Sequence, residues 1–224
     1  MKHPRLAALS VLAAGLMMLS AGCGGSGDSA SDSSSSPVSH PTHTEPKYST
    51  FEQFPGPELK HVIELGGQLG IRVKAVDSMW TPEFAGKSAE AGQHYLVVYV
   101  AVVPEEKDRG TQHVNLESVG LRVSHHTGKC GEMEATTQCV RTAFPYSQMA
   151  QVPDNQWRSY NWEYSELNFQ DLTMGVTMIG AVAFALPDDV NGTYQICGRS
   201  EKDDMYSTDW PCVAMPQPKN GSTR

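Results

Sequence analysis

The chain contains short stretches of apolar or alternating residues separated by turn-forming residues. Residues 69–75 alternate apolar and polar side chains, which predicts a half-buried strand with Arg72 and Lys74 facing water. Residues 95–103 (YLVVYVAVV) are apolar at both parities, as expected of a central strand covered on both faces. Their β-branched and aromatic content, with Pro104 following, favours a strand over a helix.

Further strands are predicted in the second half of the chain. Residues 121–123 form a short candidate, and residues 175–186 a long one with Val182, Phe184 and Leu186 on one face. The Asn191-Gly192 dipeptide follows, and it predicts a hairpin with the next strand. Short strands with turn signals and no βαβ alternation predict one two-sheet antiparallel sandwich over residues 48–215, followed by a disordered tail at 216–224.

The N-terminus has the pattern of an export signal. Lys2 and Arg5 precede a mostly apolar run from Leu6 to Leu19, which is shorter than the roughly 20 residues that a membrane-spanning helix needs. Small residues then lead into Cys23, and this order resembles the lipobox of bacterial lipoproteins. The resemblance implies that residues 1–22 are removed and that Cys23 is acylated. Ordinary signal cleavage, with Cys23 incidental, is the alternative.

The segment after Cys23 has the composition of a disordered tether. Of residues 24–46, 14 of 23 are Gly, Ser or Pro and none is aromatic. Such a stretch cannot bury enough apolar surface to offset its ordering entropy. We therefore expect residues 23–47 to join the anchor to the sandwich with an end-to-end distance of roughly 25–30 Å.

The remaining cysteines agree with export, since an even number in an exported chain indicates disulfides. They are Cys130, Cys139, Cys197 and Cys212. Four cysteines allow three pairings. The sequence-local pairs Cys130–Cys139 and Cys197–Cys212 are favoured because each closes a short loop, and each would stabilise the fold by roughly 2.5–3 kcal/mol. A zinc site is the alternative, but no pair has the spacing that such sites favour.

Charge and motifs limit the possible functions. The chain has 25 acidic and 17 basic residues, and removal of Lys2 and Arg5 takes the net charge from −8 to −10. This balance argues against nucleic acid, which needs clustered basic side chains. The sequence lacks the G-x-S-x-G, H-E-x-x-H, P-loop and dinucleotide-binding motifs. We therefore expect a protein that is not an enzyme and has no cofactor.

The strand patterns resemble a known family. The order is a strand from Gly70 to Val76, one from Gly92 to Val102, the stretch Leu116 to Val123 and a late strand from Gly180 to Pro187. It is similar to the telokin-like, immunoglobulin-like domain of unknown function in lipoproteins of actinobacteria and other Gram-positive bacteria. The resemblance implies an all-β, immunoglobulin-like sandwich outside the cytoplasm. The four cysteines and an insertion near 128–171 depart from the family's usual form.

The insertion carries the leading candidate for a binding surface. Within residues 157–169 (WRSYNWEYSELNF) five of 13 side chains are aromatic. Tyr160, Trp162 and Tyr164 alternate, so a strand would put them on one face, and with Trp157 they are predicted to bind a partner. The alternative is that these rings cover the sandwich.

Metal binding is the second candidate. His125 and His126 are adjacent, with Met133 nearby, and imidazole with thioether would suit copper outside the membrane. Against this, neighbouring residues of a regular strand point to opposite faces. The sequence therefore predicts a non-catalytic module on the outer side of the cell membrane, held through its lipid anchor, that binds a protein or cell-envelope partner. A copper-binding protein is the alternative.

The anchor gives the first testable prediction. Changing Cys23 to Ala removes the acylated residue, so we expect the protein to move from the membrane fraction to the soluble fraction. Cell fractionation with immunoblotting measures this. Retention of the Cys23→Ala variant in the membrane fraction would contradict acylation at this residue.

Overall fold

The computed structural model describes residues 47–62, 69–128, 138–142, 149–154, 156–164, 169–199 and 210–218. The predicted signal peptide, Cys23 and the tether up to residue 46 lie outside these ranges. No helix in the described part of the chain is long and apolar enough to span a membrane.

The described residues form strands and one short 3-10 turn. The turn is Phe51–Gln53, and the strands are β1 (Glu58–Val62), β2 (Ile71–Thr81), β3 (Glu83–Phe84), β4 (Lys87–Ser88), β5 (Gln93–Pro104), β6 (Thr111–Val114), β7 (Val119–Thr127), β8 (Gln138–Thr142), β9 (Gln170–Leu172), β10 (Met178–Pro187), β11 (Asn191–Gly198) and β12 (Cys212–Ala214).

Two four-stranded antiparallel sheets make up the sandwich. The first has the order β1-β2-β5-β10 and the second the order β12-β11-β7-β8. Two small antiparallel pairs, β3–β4 and β6–β9, complete the described strands. The predicted all-β, immunoglobulin-like antiparallel sandwich is therefore confirmed. The insertion near 128–171 contributes β8 to the second sheet and β9 to one small pair.

Strand β5 lies in the centre of the first sheet and is buried on both faces, as predicted. Its side chains at one parity, from Leu96 to Val102, enter the core between the sheets. Those at the other parity, from Tyr95 to Val103, enter a second apolar cluster on the outer face of the sheet. Val182, Phe184 and Leu186 of β10 face the inner core, which confirms their predicted common face.

The predicted hairpin at Asn191-Gly192 is wrong. Strand β10 pairs with β5 in the first sheet, whereas β11 pairs with β7 and β12 in the second. A turn closed by the hydrogen bond from the Val190 amide to the Pro187 carbonyl, at 3.1 Å, carries the chain from one sheet to the other. Gly192 lies inside β11, where a Cβ would come within 2.7 Å of the Ser124 carbonyl oxygen. The glycine therefore permits a close approach of β7, not a tight turn.

The N-terminal segment, which we define as residues 48–54, covers part of the outer face. Phe51 is 1% exposed, and its ring lies 4.7 Å from the Arg72 guanidinium and 4.8 Å from the Lys74 ammonium. Lys74 Nζ also donates to the carbonyl oxygens of Phe51 at 3.2 Å and Phe54 at 3.0 Å. The prediction that Lys74 faces water is wrong, because this segment covers its side chain and leaves it 8% exposed.

One predicted disulfide is present. Cys197 of β11 and Cys212 of β12 lie directly opposite each other and are bonded, which confirms this pair. Cys130 lies outside the described residues, as does the side chain of Cys139, so the pair Cys130–Cys139 stays a prediction. The chain after β12 returns to the first sheet, where the Ser78 hydroxyl donates to the Pro216 carbonyl at 2.8 Å.

Lys74 gives the second testable prediction. Lys74→Ala leaves two carbonyl groups without their buried donor, so we expect the free energy of unfolding to fall by about 1–3 kcal/mol. Urea denaturation measures the loss. The matched control is Lys107→Ala, at an exposed site, for which we expect a change within about 0.5 kcal/mol. An equal effect of the two changes would contradict the anchoring role of Lys74.

Candidate functional site

The described part of the insertion near Trp157 lies over the outer face of the first sheet. Trp157 and Trp162 are 4% and 7% exposed and belong to the outer apolar cluster. The ring of Trp162 lies 6.3 Å from that of Tyr99 on β5. Its Nε1 donates to the Trp157 carbonyl at 2.7 Å, which ties the two tryptophans together. The two rings thus cover a sheet face that would otherwise expose apolar side chains.

The carboxylate of Asp77 holds this segment in place. A register shift between Ala75 and Asp77 in the pairing of β2 with β5 marks a β-bulge, and such bulges redirect side chains. Arg158 donates to both Asp77 oxygens at 2.6 Å. Trp157 Nε1 donates to Oδ2 at 3.1 Å, and the Ser78 amide to Oδ1 at 2.9 Å. One carboxylate therefore accepts four hydrogen bonds.

These contacts shift the acidity of the groups involved. Burial acts to raise the pKa of Asp77, but the hydrogen bonds from Arg158 and Trp157 outweigh it and leave the pKa below its usual value. The hydrogen bond to Asp77 likewise raises the pKa of Arg158. Burial raises the pKa of Tyr99 to about 12, and its hydroxyl lies 3.2 Å from Met79 Sδ, to which it donates. All three groups therefore keep their usual charge at neutral pH.

The structure corrects the geometry predicted for the aromatic set. Residues 157–159 form a turn, Tyr160 lies at a bend and residues 161–163 are not in a strand, so the alternation of Tyr160, Trp162 and Tyr164 does not place them on one face. Tyr160 is 40% exposed beside the buried Trp162, with their ring centroids 4.7 Å apart. Tyr164 is half-buried, and Lys87 Nζ lies 4.5 Å from the centre of its ring. A partner-binding role for Trp157, Tyr160, Trp162 and Tyr164 stays a prediction.

An open groove lies at the margin of the outer cover. It has a cavity volume of about 340 Å³ and lies between three segments that are distant in sequence. We call it the marginal groove, and it is lined by Tyr48, Ser49, Phe54, Gln151, Val152, Pro153, Gly175, Val176, Thr177 and Ile179. None of these side chains carries a charge. Sequence reasoning missed the groove because no single segment holds more than four of its residues.

The segments around the groove are held by specific contacts. The Tyr48 amide donates to the Asp154 carboxylate at 3.0 Å, and the Tyr48 ring lies 4.9 Å from that of Phe54. Ala150 and Ile179 form an isolated bridge in which each amide donates to the other's carbonyl at 2.8 Å. The N-terminal segment and residues 150–154 are thus tied to each other and to β10. The marginal groove is therefore bounded by fixed chain.

The histidines of the copper alternative lie at a bulge in β7. The pairing advances by two residues along β11, from Asn191 to Thr193, and by three along β7, from Thr127 to Ser124. Within this bulge His125 has a left-handed φ of 52°. The regular alternation assumed for this pair therefore does not apply. His125 is exposed, whereas His126 is half-buried with its Nδ1 3.2 Å from the Gly128 carbonyl oxygen.

No ligand set is complete around these histidines among the residues that the structure describes. Within the described ranges no three His, Cys, Asp or Glu side chains form a group that could hold a metal ion. Met133 lies outside those ranges. Copper binding by His125, His126 and Met133 therefore stays a prediction.

Comparison with known proteins identifies no family. No family model and no curated protein matches the chain. One similar solved structure is ycdA from Bacillus subtilis, provisionally called a lipoprotein, with 18% identity, a TM-score of 0.34, and coverage of 67% of this chain but 36% of that one. Another is a protein from Staphylococcus aureus, also provisionally called a lipoprotein, with 13% identity, a TM-score of 0.37, and coverage of 72% and 97%.

Similarity at this level carries no argument about fold or function. This chain spans about a third of the length of the B. subtilis structure. The sandwich is established here by the strand pairing of the chain itself. The resemblance to the telokin-like family stays a prediction.

Asp77 gives the third testable prediction. Its lowered pKa means that the charged carboxylate stabilises the fold at neutral pH, and that this contribution is lost as the pH falls below about 4 and through the lowered pKa. Asp77→Asn should lower the free energy of unfolding at pH 7 by about 1–2 kcal/mol, a value reduced for solvent because the Arg158 side chain is 35% exposed. The difference from wild type should shrink in acid.

Urea denaturation at pH 7 and pH 3, followed by tryptophan fluorescence, tests this expectation. Asp108→Asn, at an exposed site, is the control for loss of a surface carboxylate. If Asp77→Asn and Asp108→Asn gave the same pH dependence, the carboxylate of Asp77 would not be what holds the outer cover.

Proposed function

We propose that this chain is a lipoprotein on the outer side of the cytoplasmic membrane, anchored through acylated Cys23, and that its β-sandwich is a non-catalytic binding module. The observation that carries the binding role is the marginal groove, which is open, uncharged and bounded by fixed chain. The partner is a protein or another component of the cell envelope.

The attachment of the tether supports this arrangement. The tether is predicted to end at residue 47, and Tyr48, the next residue, lines the marginal groove. The Tyr48 amide donates a hydrogen bond to Asp154, and the Phe51 ring lies against the cationic groups of Arg72 and Lys74. The domain end of the tether is therefore fixed beside the groove. A partner at the membrane surface would be within reach of a flexible tether that spans roughly 25–30 Å.

The lining of the groove supports binding through apolar and uncharged polar contacts. The exported chain has a net charge of −10, yet the ten lining residues include no acidic or basic side chain. Its volume of about 340 Å³ is at the lower end of the roughly 300–1,000 Å³ of small-ligand pockets. This size fits a short segment or a small group of a larger partner. An uncharged lining also offers no acid–base pair for catalysis.

The proposal assigns a structural role to the two tryptophans that the sequence predicted to bind a partner. Trp157 and Trp162 are buried and hold the outer cover in place, so they support the groove and do not line it. Tyr160 is the exposed member of the set and stands outside the groove lining. We therefore place the binding surface at the marginal groove, and we assign Trp157 and Trp162 to its support.

Site-specific photocrosslinking gives the fourth testable prediction. We replace Gln151, an exposed residue of the groove lining, with the photoreactive amino acid p-benzoylphenylalanine in cells that make the anchored protein. The control carries it at Gln156, which is exposed on the same loop but outside the lining. We expect a defined crosslinked species at position 151, identified by mass spectrometry, and none at position 156. The same products at both positions, or none at either, would contradict binding at the groove.

A further inference from the structure

The backbone on two sides of the marginal groove separates just where a β-ladder would continue. Ala150 and Ile179 exchange both of their main-chain hydrogen bonds. In an antiparallel pair such residues alternate with residues that exchange none, so the next bonding pair would be Val152 with Thr177. That pair does not form, and both residues line the groove. The two chains therefore make a fork with the Ala150–Ile179 bridge at its base.

The separation has local causes on both sides. Gly175 has a φ of 75°, and the Val176 amide donates to the Thr173 carbonyl at 3.2 Å, so this chain turns as it enters β10. On the other side the ring of Pro153 restricts its φ to roughly −65°, away from the roughly −140° of a regular antiparallel strand. Asp154 is held by the Tyr48 amide at 3.0 Å, which fixes this chain to the N-terminal segment. The fork is thus fixed by contacts outside it.

The fork leaves main-chain groups without partners. The amide and carbonyl groups of Val152 and Thr177 make no hydrogen bond to any residue in the described part of the chain. Val152 and Thr177 each lie two residues from the bridge and both line the groove, so their unpaired amide and carbonyl groups border the opening of the fork.

We propose that an extended, uncharged peptide segment of a second protein enters this fork and pairs through its main chain with Val152, Thr177 or both, as an added β-strand. This inference rests on the proposed function of the marginal groove and names the class of its partner. Strand addition draws affinity from main-chain hydrogen bonds and specificity from alternate side chains. Here those side chains would meet Phe54, Val176 and uncharged neighbours.

The chemistry of the groove favours this occupant over two others. The chain's own tether begins beside the groove, but Pro37, Pro41 and Pro46 interrupt its C-terminal part and lack the amide hydrogens that a paired strand donates. A glycan would use the hydroxyl and amide side chains of the lining, but it has no regular row of amide donors to match the backbone of Val152 and Thr177. A peptide matches both features of the site.

A peptide library with blocked main-chain amides gives the fifth testable prediction. The protein is the full exported chain with Cys23→Ser, and the probes are fluorescent hexapeptides in which Val, Ile and Ala alternate with Ser and Thr. The strongest binder is resynthesised with N-methyl groups on alternate residues, in each of the two registers. N-methylation removes amide donors along one edge and keeps every side chain. We expect at least one register to weaken binding by about tenfold or more in fluorescence anisotropy.

Matched protein variants place the binding in the groove. Gln151→Trp fills the groove from an exposed position and should abolish peptide binding, whereas Gln156→Trp should leave it unchanged. Equal thermal midpoints of the two variants would show that both are folded. A peptide with Glu at alternate positions should bind at least about tenfold more weakly than its Ser and Thr counterpart.

The outcomes separate this inference from the function on which it rests. Failure of the whole library to bind, or equal binding of both N-methylated peptides and their parent, would overturn strand addition. A glycan, a lipid or the chain's own tether as the product crosslinked at position 151 would overturn it as well, while the groove stayed a binding site. Absence of any specific crosslinked product at position 151 would contradict the proposed function itself.

Discussion

The burial of β5 on both faces is the constraint on which the rest of the structure depends. A strand with apolar side chains at both parities needs cover on both sides, and the second sheet covers only one. The other side is covered by chain from two distant places, the N-terminal segment and the insertion near Trp157. Apolar burial drives this arrangement, since an exposed face of Tyr95, Val97 and Tyr99 would be unfavourable in water.

The separate segments that cover the outer face of the first sheet are held in place by polar contacts. Lys74 satisfies the carbonyl groups of the N-terminal segment, and Asp77 accepts the donors of Trp157 and Arg158. Both residues belong to β2, next to β5, so one strand fixes both parts of the cover. Polar groups that are removed from water in this way must be paired, and here the pairing also decides where each segment lies.

The same construction explains the marginal groove. Two segments that approach from different directions do not meet along a regular ladder, so the chain at Val152 separates from the chain at Thr177. The resulting opening is lined by apolar and uncharged polar side chains, because it lies at the edge of an apolar cluster. Main-chain groups of Val152 and Thr177 border it, because these two residues do not pair with each other. The proposed binding surface thus arises from the way the outer face is covered, without a dedicated sequence motif.

The sequence alone predicted the five long strands β2, β5, β7, β10 and β11, the sandwich, and Cys197–Cys212 as a favoured pair, because periodicity and the spacing of cysteines are local signals. It also indicated, through the parity of β5, that a second cover must exist. Only the tertiary structure decided what that cover is and how the sheets are connected: the burial of Lys74, the hydrogen bond from Trp157 to Asp77 and the crossing between the sheets at the turn from Pro187 to Val190 all depend on contacts between residues far apart in the chain. Local patterns cannot specify these contacts. An alternation of apolar and polar residues along a strand forms equally well whether the polar face is in contact with water or is covered by another segment of the chain.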